Sequence, residues 1–246
     1  MVLTISNPEH RNALGPEIYA AGVEALNASE SNPDVRSVVI TGESNVFSAG
    51  GNLQRLQANR QQPPEVQARS IEGLHNWIEA IRTFPKPVIA AVEGPAAGAG
   101  FSLALACDFM VAATNAVFVM AYSNIALSPD GGGSWSLSRA LPRPLVNELL
   151  MLGERIGAER LHAVGLVNRL VDPGKALQGA LEWAARINER APNAMSSIKE
   201  LVNEASANTL SQHVALERDH FVRNLHHANA GLGISAFLDK TKPRFA

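Results

Sequence analysis

A single cysteine, Cys107, stands in a chain of 246 residues. No internal disulfide can form, and a zinc site built on several thiolates is excluded. An excess of one charge is also missing. The 21 Lys and Arg against 23 Asp and Glu leave a formal net charge of −2, so no basic field marks a nucleic-acid or anionic-membrane partner. No stretch reaches the roughly 18 uncharged apolar residues of a membrane span. The richest, 101–113, is interrupted by Asp108. The first eight residues carry neither a basic segment nor the apolar core, roughly 7–15 residues long, of a signal peptide. What is present is 46% apolar residues, enough for a sizeable core. The expectation is a soluble, reduced, cytoplasmic protein of one large domain, or one domain with a small appendage.

Patterning supplies the elements. Val2 to Ile5 has room for one strand, and Asn12 followed by Gly15-Pro16 opens a helix running to about residue 28. Val38-Val39-Ile40 is a buried-strand pattern stopped by Gly42. After Phe47-Ser48-Ala49-Gly50-Gly51, a short helix starts near Asn52, which caps it. Ile71, Leu74, Ile78 and Ile81 then recur at helical spacing until Pro85, as core or as the wall of a pocket. Residues 87–92 form a second buried strand, 93–100 a second glycine-rich turn, 101–106 a short buried helix and 109–113 a third strand. Ser128-Pro129-Asp130-Gly131-Gly132-Gly133 is a third glycine-rich turn leading into helix. A last strand spans 166–171. From Lys175 onward the chain is helical, broken at Pro192 and near Asn208. Three strand, glycine-turn, helix units thus precede a helical tail, a loose structural repeat.

A glycine-rich turn at a helix start exposes backbone N–H groups, and the helix dipole adds positive potential. Such a turn can hold a phosphate, a dinucleotide pyrophosphate or an acyl oxyanion. The dinucleotide pattern starting at Gly98 fails, because position 103 is leucine and no acidic residue closes a following strand about 20 positions on. No G-K-[ST] or G-x-S-x-G motif occurs. Two turns of this kind match the two N–H donors of an oxyanion hole, although glycines that merely permit tight turns would look the same.

Several ordered segments resemble the crotonase, or enoyl-CoA hydratase/isomerase, family. They are Asn7-Pro8-Glu9-His10-Arg11-Asn12-Ala13-Leu14, Phe47 to Leu53, Lys86 to Gly94, Gly98-Ala99-Gly100, Ala106-Cys107-Asp108, Gly132-Gly133 and Ala163 to Val167. The resemblance implies an α/β fold, the crotonase (ClpP-like) spiral of ββα units. The core would occupy residues 1–190. A helical region at 191–246 would pack subunits into a homotrimer, or a hexamer of two trimers. It also implies a coenzyme A thioester as substrate, with no resident cofactor and no metal. The thioester oxygen would be held by the backbone N–H groups of Gly51 and Ala99. Relatives usually carry one more strand before the one starting at Val2, so a shorter first hairpin or a late start codon is expected.

Departures from the family pattern decide the chemistry. The two positions where family hydratases carry glutamates are Ser102 and Tyr122. Serine and tyrosine are poor replacements for a carboxylate pair that adds water to a double bond. One carboxylate remains: Asp130 matches the position where some double-bond isomerases of the family carry their base, and where relatives that displace halide carry a nucleophile. A 1,3 proton shift needs one base, and burial beside Trp135 and Leu127 would strengthen it. Pro-Asp-Gly is also ordinary turn sequence, and Asp130 would make a good helix cap. Ser102 reads as a packing residue or a substrate contact. Tyr122 donates to substrate or water, or is satisfied by backbone. Ala49 lies in the first glycine turn, and Arg11 and Arg55 sit beside segments that line the nucleotide in relatives, where arginine suits phosphate. His213, Glu217 and His220 share one helical face, read as an exposed polar stripe rather than a metal site. The expected activity is movement of a double bond in an unsaturated acyl-CoA. The alternatives are a hydratase or hydrolase working without the usual glutamates, or a non-catalytic acyl-CoA-binding protein.

Overall fold

The computed structural model describes residues 1–245. In chain order the first half holds β1 (Val2–Ile5), α1 (Pro16–Glu30), β2 (Val38–Gly42), α2 (Leu53–Asn59), α3 (Pro64–Thr83), β3 (Val88–Val92), β4 (Pro95–Ala97) and α4 (Ala99–Ala106). The second half holds β5 (Phe109–Ala113), β6 (Val117–Val119), α5 (Gly133–Ala140), α6 (Arg143–Asn147), β7 (Ile156–Gly157), α7 (Ala158–Ala163) and β8 (Arg169–Val171). Four helices follow: α8 (Ala176–Ile187), α9 (Pro192–Glu204), α10 (Leu210–Leu225) and α11 (Ala228–Leu238).

The long apolar runs become a five-stranded parallel sheet in the order β1-β2-β3-β5-β8. Its central strands β2, β3 and β5 read as nearly unbroken apolar sequence because both faces are covered. Val38, Ile40, Val88, Ala90, Val92 and Met110 face the main core, against α1, α3 and α4. Val39, Ile89, Ala91 and Val111 face the other way, onto the alanines Ala176, Ala180 and Ala184 of α8. A second ladder runs beside the first: β4 pairs in parallel with β6, which pairs antiparallel with β7. Single bridges extend it backwards, Ser48 to Ala96 and Leu14 to Gly51. Each turn of chain therefore adds one rung to both ladders before entering a helix, and the rungs stack into a spiral.

Of the strands in the second ladder, β4 falls inside the turn read at 93–100, and β6 and β7 fall in stretches to which the sequence assigns no element. Two or three residues are too few to show an alternating pattern, and Pro95 opens β4 at its first position. Asn12 does not open α1. Gly15 is the cap, while Asn12 is buried in a left-handed conformation (φ 56°), its side chain donating to Glu43 O and Val46 O. Asn52 caps α2 as expected, accepting from the Arg55 N–H at 3.0 Å. The break near Asn208 is a capping box made by Thr209 and Gln212 at the start of α10. His213 and His220 do not form an exposed stripe. His220 is buried with Glu200 and Arg223 as neighbours, because α10 turns this face towards α9. Among the described residues no three metal-ligating side chains converge, and no helix is long and apolar enough to cross a membrane.

The C-terminal helices are fastened to the core through Lys199 of α9. Its ammonium donates to Ile81 O and to Asp108 Oδ2, each at 2.8 Å, and to Lys86 O at 3.3 Å. Asp108 also accepts from the Val88 N–H, and burial pushes its carboxyl above the ordinary value while Lys199 pulls the other way. Replacing Lys199 by methionine leaves that carboxylate without its counter-charge. The expected loss is about 3 kcal/mol of stability, the lower end for breaking a buried pair because Asp108 keeps some solvent contact. Urea denaturation of the two proteins measures it.

Candidate active site

The spiral brings the first two glycine turns together. Ser48 is fully buried, and its backbone pairs with the next rung: its N–H donates to Pro95 O, and its carbonyl accepts from the Ala97 N–H. Its hydroxyl donates to Asn12 O at 2.8 Å and accepts from the Gly50 N–H at 3.1 Å. Gly50 has φ 83° and lies so close to the second turn that a Cβ would stand 2.5 Å from Ala97 O and 3.3 Å from Ala99 N. Only glycine meets both demands. Gly100 is held as closely from the other side, since a Cβ there would come within 2.8 Å of Ser48 O. The N–H of Ala99 opens α4, and neither it nor the Gly51 N–H donates to an acceptor among the described residues. Two unused backbone donors thus lie on adjoining turns.

The third turn closes over the second. Gly98, at φ 49°, donates its N–H to Val119 O, and its open face lies against the ring of Tyr122. The Tyr122 hydroxyl donates to Asp130 Oδ1 at 2.6 Å. Ser102, buried in α4, donates to the Asp130 backbone carbonyl at 3.0 Å. Gly131 and Gly132 have positive φ (58° and 74°), and the Gly133 N–H returns to Asp130 O, so the chain turns sharply from Asp130 into α5. Leu74 of α3 packs on Gly131, which makes that part of the aliphatic stripe both core and floor of this turn. The Tyr122 hydroxyl is therefore held by the Asp130 carboxylate, and Ser102 braces Asp130 rather than filling space. Trp135 and Leu127 do not bury Asp130. Both are exposed, Trp135 on the outer side of α5, stacked with the guanidinium groups of Arg139 (3.9 Å) and Arg82 (4.5 Å).

Of the remaining positions, Ala49 is half-buried and its N–H donates to Arg11 O, which ties exposed Arg11 to the first glycine turn. Arg55 lies across the backbone of Gly15 and pairs with Glu17 at 3.3 Å. It stands at the rim of a cleft of about 790 Å³ between α1, α2 and α3, lined by Tyr19, Ala20, Val23, Val66 and Gly73 among others. Sequence reasoning passed over Ser48 and Tyr19. A serine inside an apolar strand-to-turn segment was the signal for Ser48. Tyr19 carried none, since an aromatic in an alanine-rich helix is ordinary core.

Parallel-sheet spiral, adjoining N–H turns and a braced carboxylate together define a protein of the crotonase fold. All of residues 1–246 match the enoyl-CoA hydratase/isomerase family model, and the chain belongs to that family. It is 35% identical over its whole length to the 1,2-epoxyphenylacetyl-CoA isomerase of Escherichia coli K12, covering 94% of that protein. It is 31% identical to the 2,3-dehydroadipyl-CoA hydratase of the same organism, again with 94% covered. Among solved structures, an enoyl-CoA hydratase from Polaromonas sp. JS666 superposes with a TM-score of 0.99 at 73% identity, over 100% of this chain and 95% of that one.

Two outcomes check the geometry. Gly100→Ala drives a methyl into Ser48 and costs about 1–3 kcal/mol by overpacking, read as a lowered unfolding midpoint. Burial pushes the Tyr19 phenol up to about 12, with the Asp130 charge adding to it, and pushes Tyr122 higher still. These are the only two tyrosines, so alkaline titration followed at 295 nm shows no phenolate below about pH 10, the ordinary tyrosine value.

Proposed function

We propose that this acyl-CoA enzyme moves a double bond along an unsaturated acyl chain, with Asp130 as the single base. One observation carries the reading: the two positions of the family's glutamates hold Ser102 and Tyr122, and both side chains are hydrogen-bonded to Asp130. The site thus offers one carboxylate beside two free backbone donors. A 1,3 proton shift needs just that set, whereas hydration needs a second acid or base. The thioester oxygen accepts from Gly51 and Ala99, which stabilise it as negative charge develops there. Asp130 removes a proton next to the carbonyl and returns it to the far end of the allylic system. No resident cofactor takes part.

The apolar cleft between α1 and α3 offers room for the acyl group, and Ala49, in the first glycine turn, is taken as a substrate contact. Arg11 and Arg55, both near the first glycine turn, supply guanidinium groups for the phosphates of coenzyme A. The C-terminal helices leave Leu210, Phe221, Phe237 and Leu238 exposed, Phe237 by 84%. Apolar side chains so bare support association through this region into a trimer or a pair of trimers.

Incubation of a 3-enoyl-CoA in D₂O with wild type and Asp130→Asn tests the reading. Expected are migration of the double bond to C2 with deuterium entering at C2 or C4, and a loss of about 10²–10⁴-fold in the variant. Formation of 3-hydroxyacyl-CoA in place of migration would establish hydration, the activity named for the Escherichia coli 2,3-dehydroadipyl-CoA relative. Tight binding without either reaction would establish a binding protein.

A further inference from the structure

The two oxygens of the Asp130 carboxylate are not equivalent. Oδ1 accepts the Tyr122 hydroxyl, and Oδ2 accepts from no group among the described residues. The phenol cannot exchange roles with the carboxylate, because burial and the neighbouring Asp130 charge both push it far above neutrality and keep its proton in place. Tyr122 is itself held on two sides. Its carbonyl accepts the N–H groups of Ile125 and Leu127, and its ring rests on Gly98, the residue before Ala99. At the other end, the Asp130 carbonyl accepts from Ser102 Oγ and the Gly133 N–H. Left alone, an aspartate carboxylate turns about a broad two-fold torsion and presents either oxygen. Here main chain and side chain are pinned from separate elements, and the pin on the side chain touches the turn that carries the Ala99 donor.

We propose that Tyr122 is the positioning residue of Asp130: by holding Oδ1 it restricts proton transfer to Oδ2, on one face of the acyl chain. This rests on the reading of Asp130 as the base. In the first step the C2–H bond breaks and Oδ2–H forms; the C–H pair becomes a C1=C2 bond while the C1=O pair moves onto the thioester oxygen, leaving C3=C4 in place. In the second step Oδ2–H breaks and the C3=C4 pair takes that proton to form C4–H, while the oxygen pair re-forms C1=O and the C1=C2 pair becomes the C2=C3 double bond. The carboxylate is regenerated, and the Tyr122 proton stays on its phenol throughout. Because one oxygen both takes and returns the proton, part of the proton removed from C2 reappears at C4 of the same molecule.

A 3-enoyl-CoA deuterated at C2, turned over in H₂O by wild type, Tyr122→Phe and Asp130→Asn, tests this. Wild type transfers a measurable fraction of the label to one face of C4. Losing one hydrogen bond to a charged group lowers kcat roughly 10–100-fold in Tyr122→Phe. KM stays within about twofold, since the bond does not touch substrate, and the transferred label falls or spreads over both faces. If Tyr122→Phe keeps wild-type kcat and single-face transfer while Asp130→Asn is inactive, the positioning role is overturned and the base stands. If Asp130→Asn turns over normally, both fall. Should Tyr122→Phe not fold, 3-fluorotyrosine at position 122 replaces it, keeping the hydroxyl and changing its acidity. A changed kcat at constant KM supports the role, and an unchanged kcat overturns it.

Discussion

Ser48 joins three consecutive turns of the spiral, two through its buried hydroxyl and the third through its backbone. It donates to Asn12 O in the first turn and accepts from the Gly50 N–H in its own, while the Ser48 backbone pairs with residues 95 and 97 in the third. A hydroxyl used as donor and acceptor at once leaves no buried polar group unpaired. Removing it would strand Asn12 O and the Gly50 N–H away from water and release the turn that presents Gly51. The same residue sets how near α4 can come, because Gly100 lies directly against it. Placement of the two free N–H donors is thus a by-product of packing one small polar side chain between rungs.

The carboxylate belongs to a different part of the frame. Asp130 sits on the connection leaving β6, braced by Ser102 from α4 and by Tyr122 from its own connection, with Leu74 of α3 under the following glycine. Positions that lack glutamate have not become inert. Both hold hydroxyl groups, and both hydroxyls converge on the remaining acid, one on its backbone and one on its side chain. Ser102 and Tyr122 are therefore parts of one arrangement around Asp130.

The main sheet was legible because burial on both faces writes itself as Val38-Val39-Ile40 and Val88-Ile89-Ala90-Ala91-Val92, a pattern that few other structures need. The helical tail after Lys175 was legible, with its breaks at Pro192 and near Asn208, whereas the start of α11 at Ala228 was not. The second ladder was not, since its rungs are two or three residues long and are held by partners on other turns of the chain. In the site, the glycine turns and Asp130 were visible as pattern, and the resemblance to the family placed them. The bond from Tyr122 to Asp130 was hidden, because it depends on how the 123–129 segment folds back. Trp135 misled for a related reason. Its arginine neighbours, Arg82 and Arg139, lie on separate helices and draw the indole outward onto the surface, where local composition suggested burial beside the acid.

The spiral keeps the backbone donors and the acid on different rungs, and this has an evolutionary side. Donors made of main chain survive almost any change of side chain, provided Gly50, Gly100 and Ser48 keep their size. An acid supplied by a side chain can be moved, duplicated or dropped by single substitutions at positions such as 102, 122 and 130 without disturbing the frame. Relatives about one-third identical to this chain carry names as different as isomerase, hydratase and dehydratase. A scaffold of this kind behaves as a fixed socket with interchangeable tools, the frame constant while the site placed on it varies.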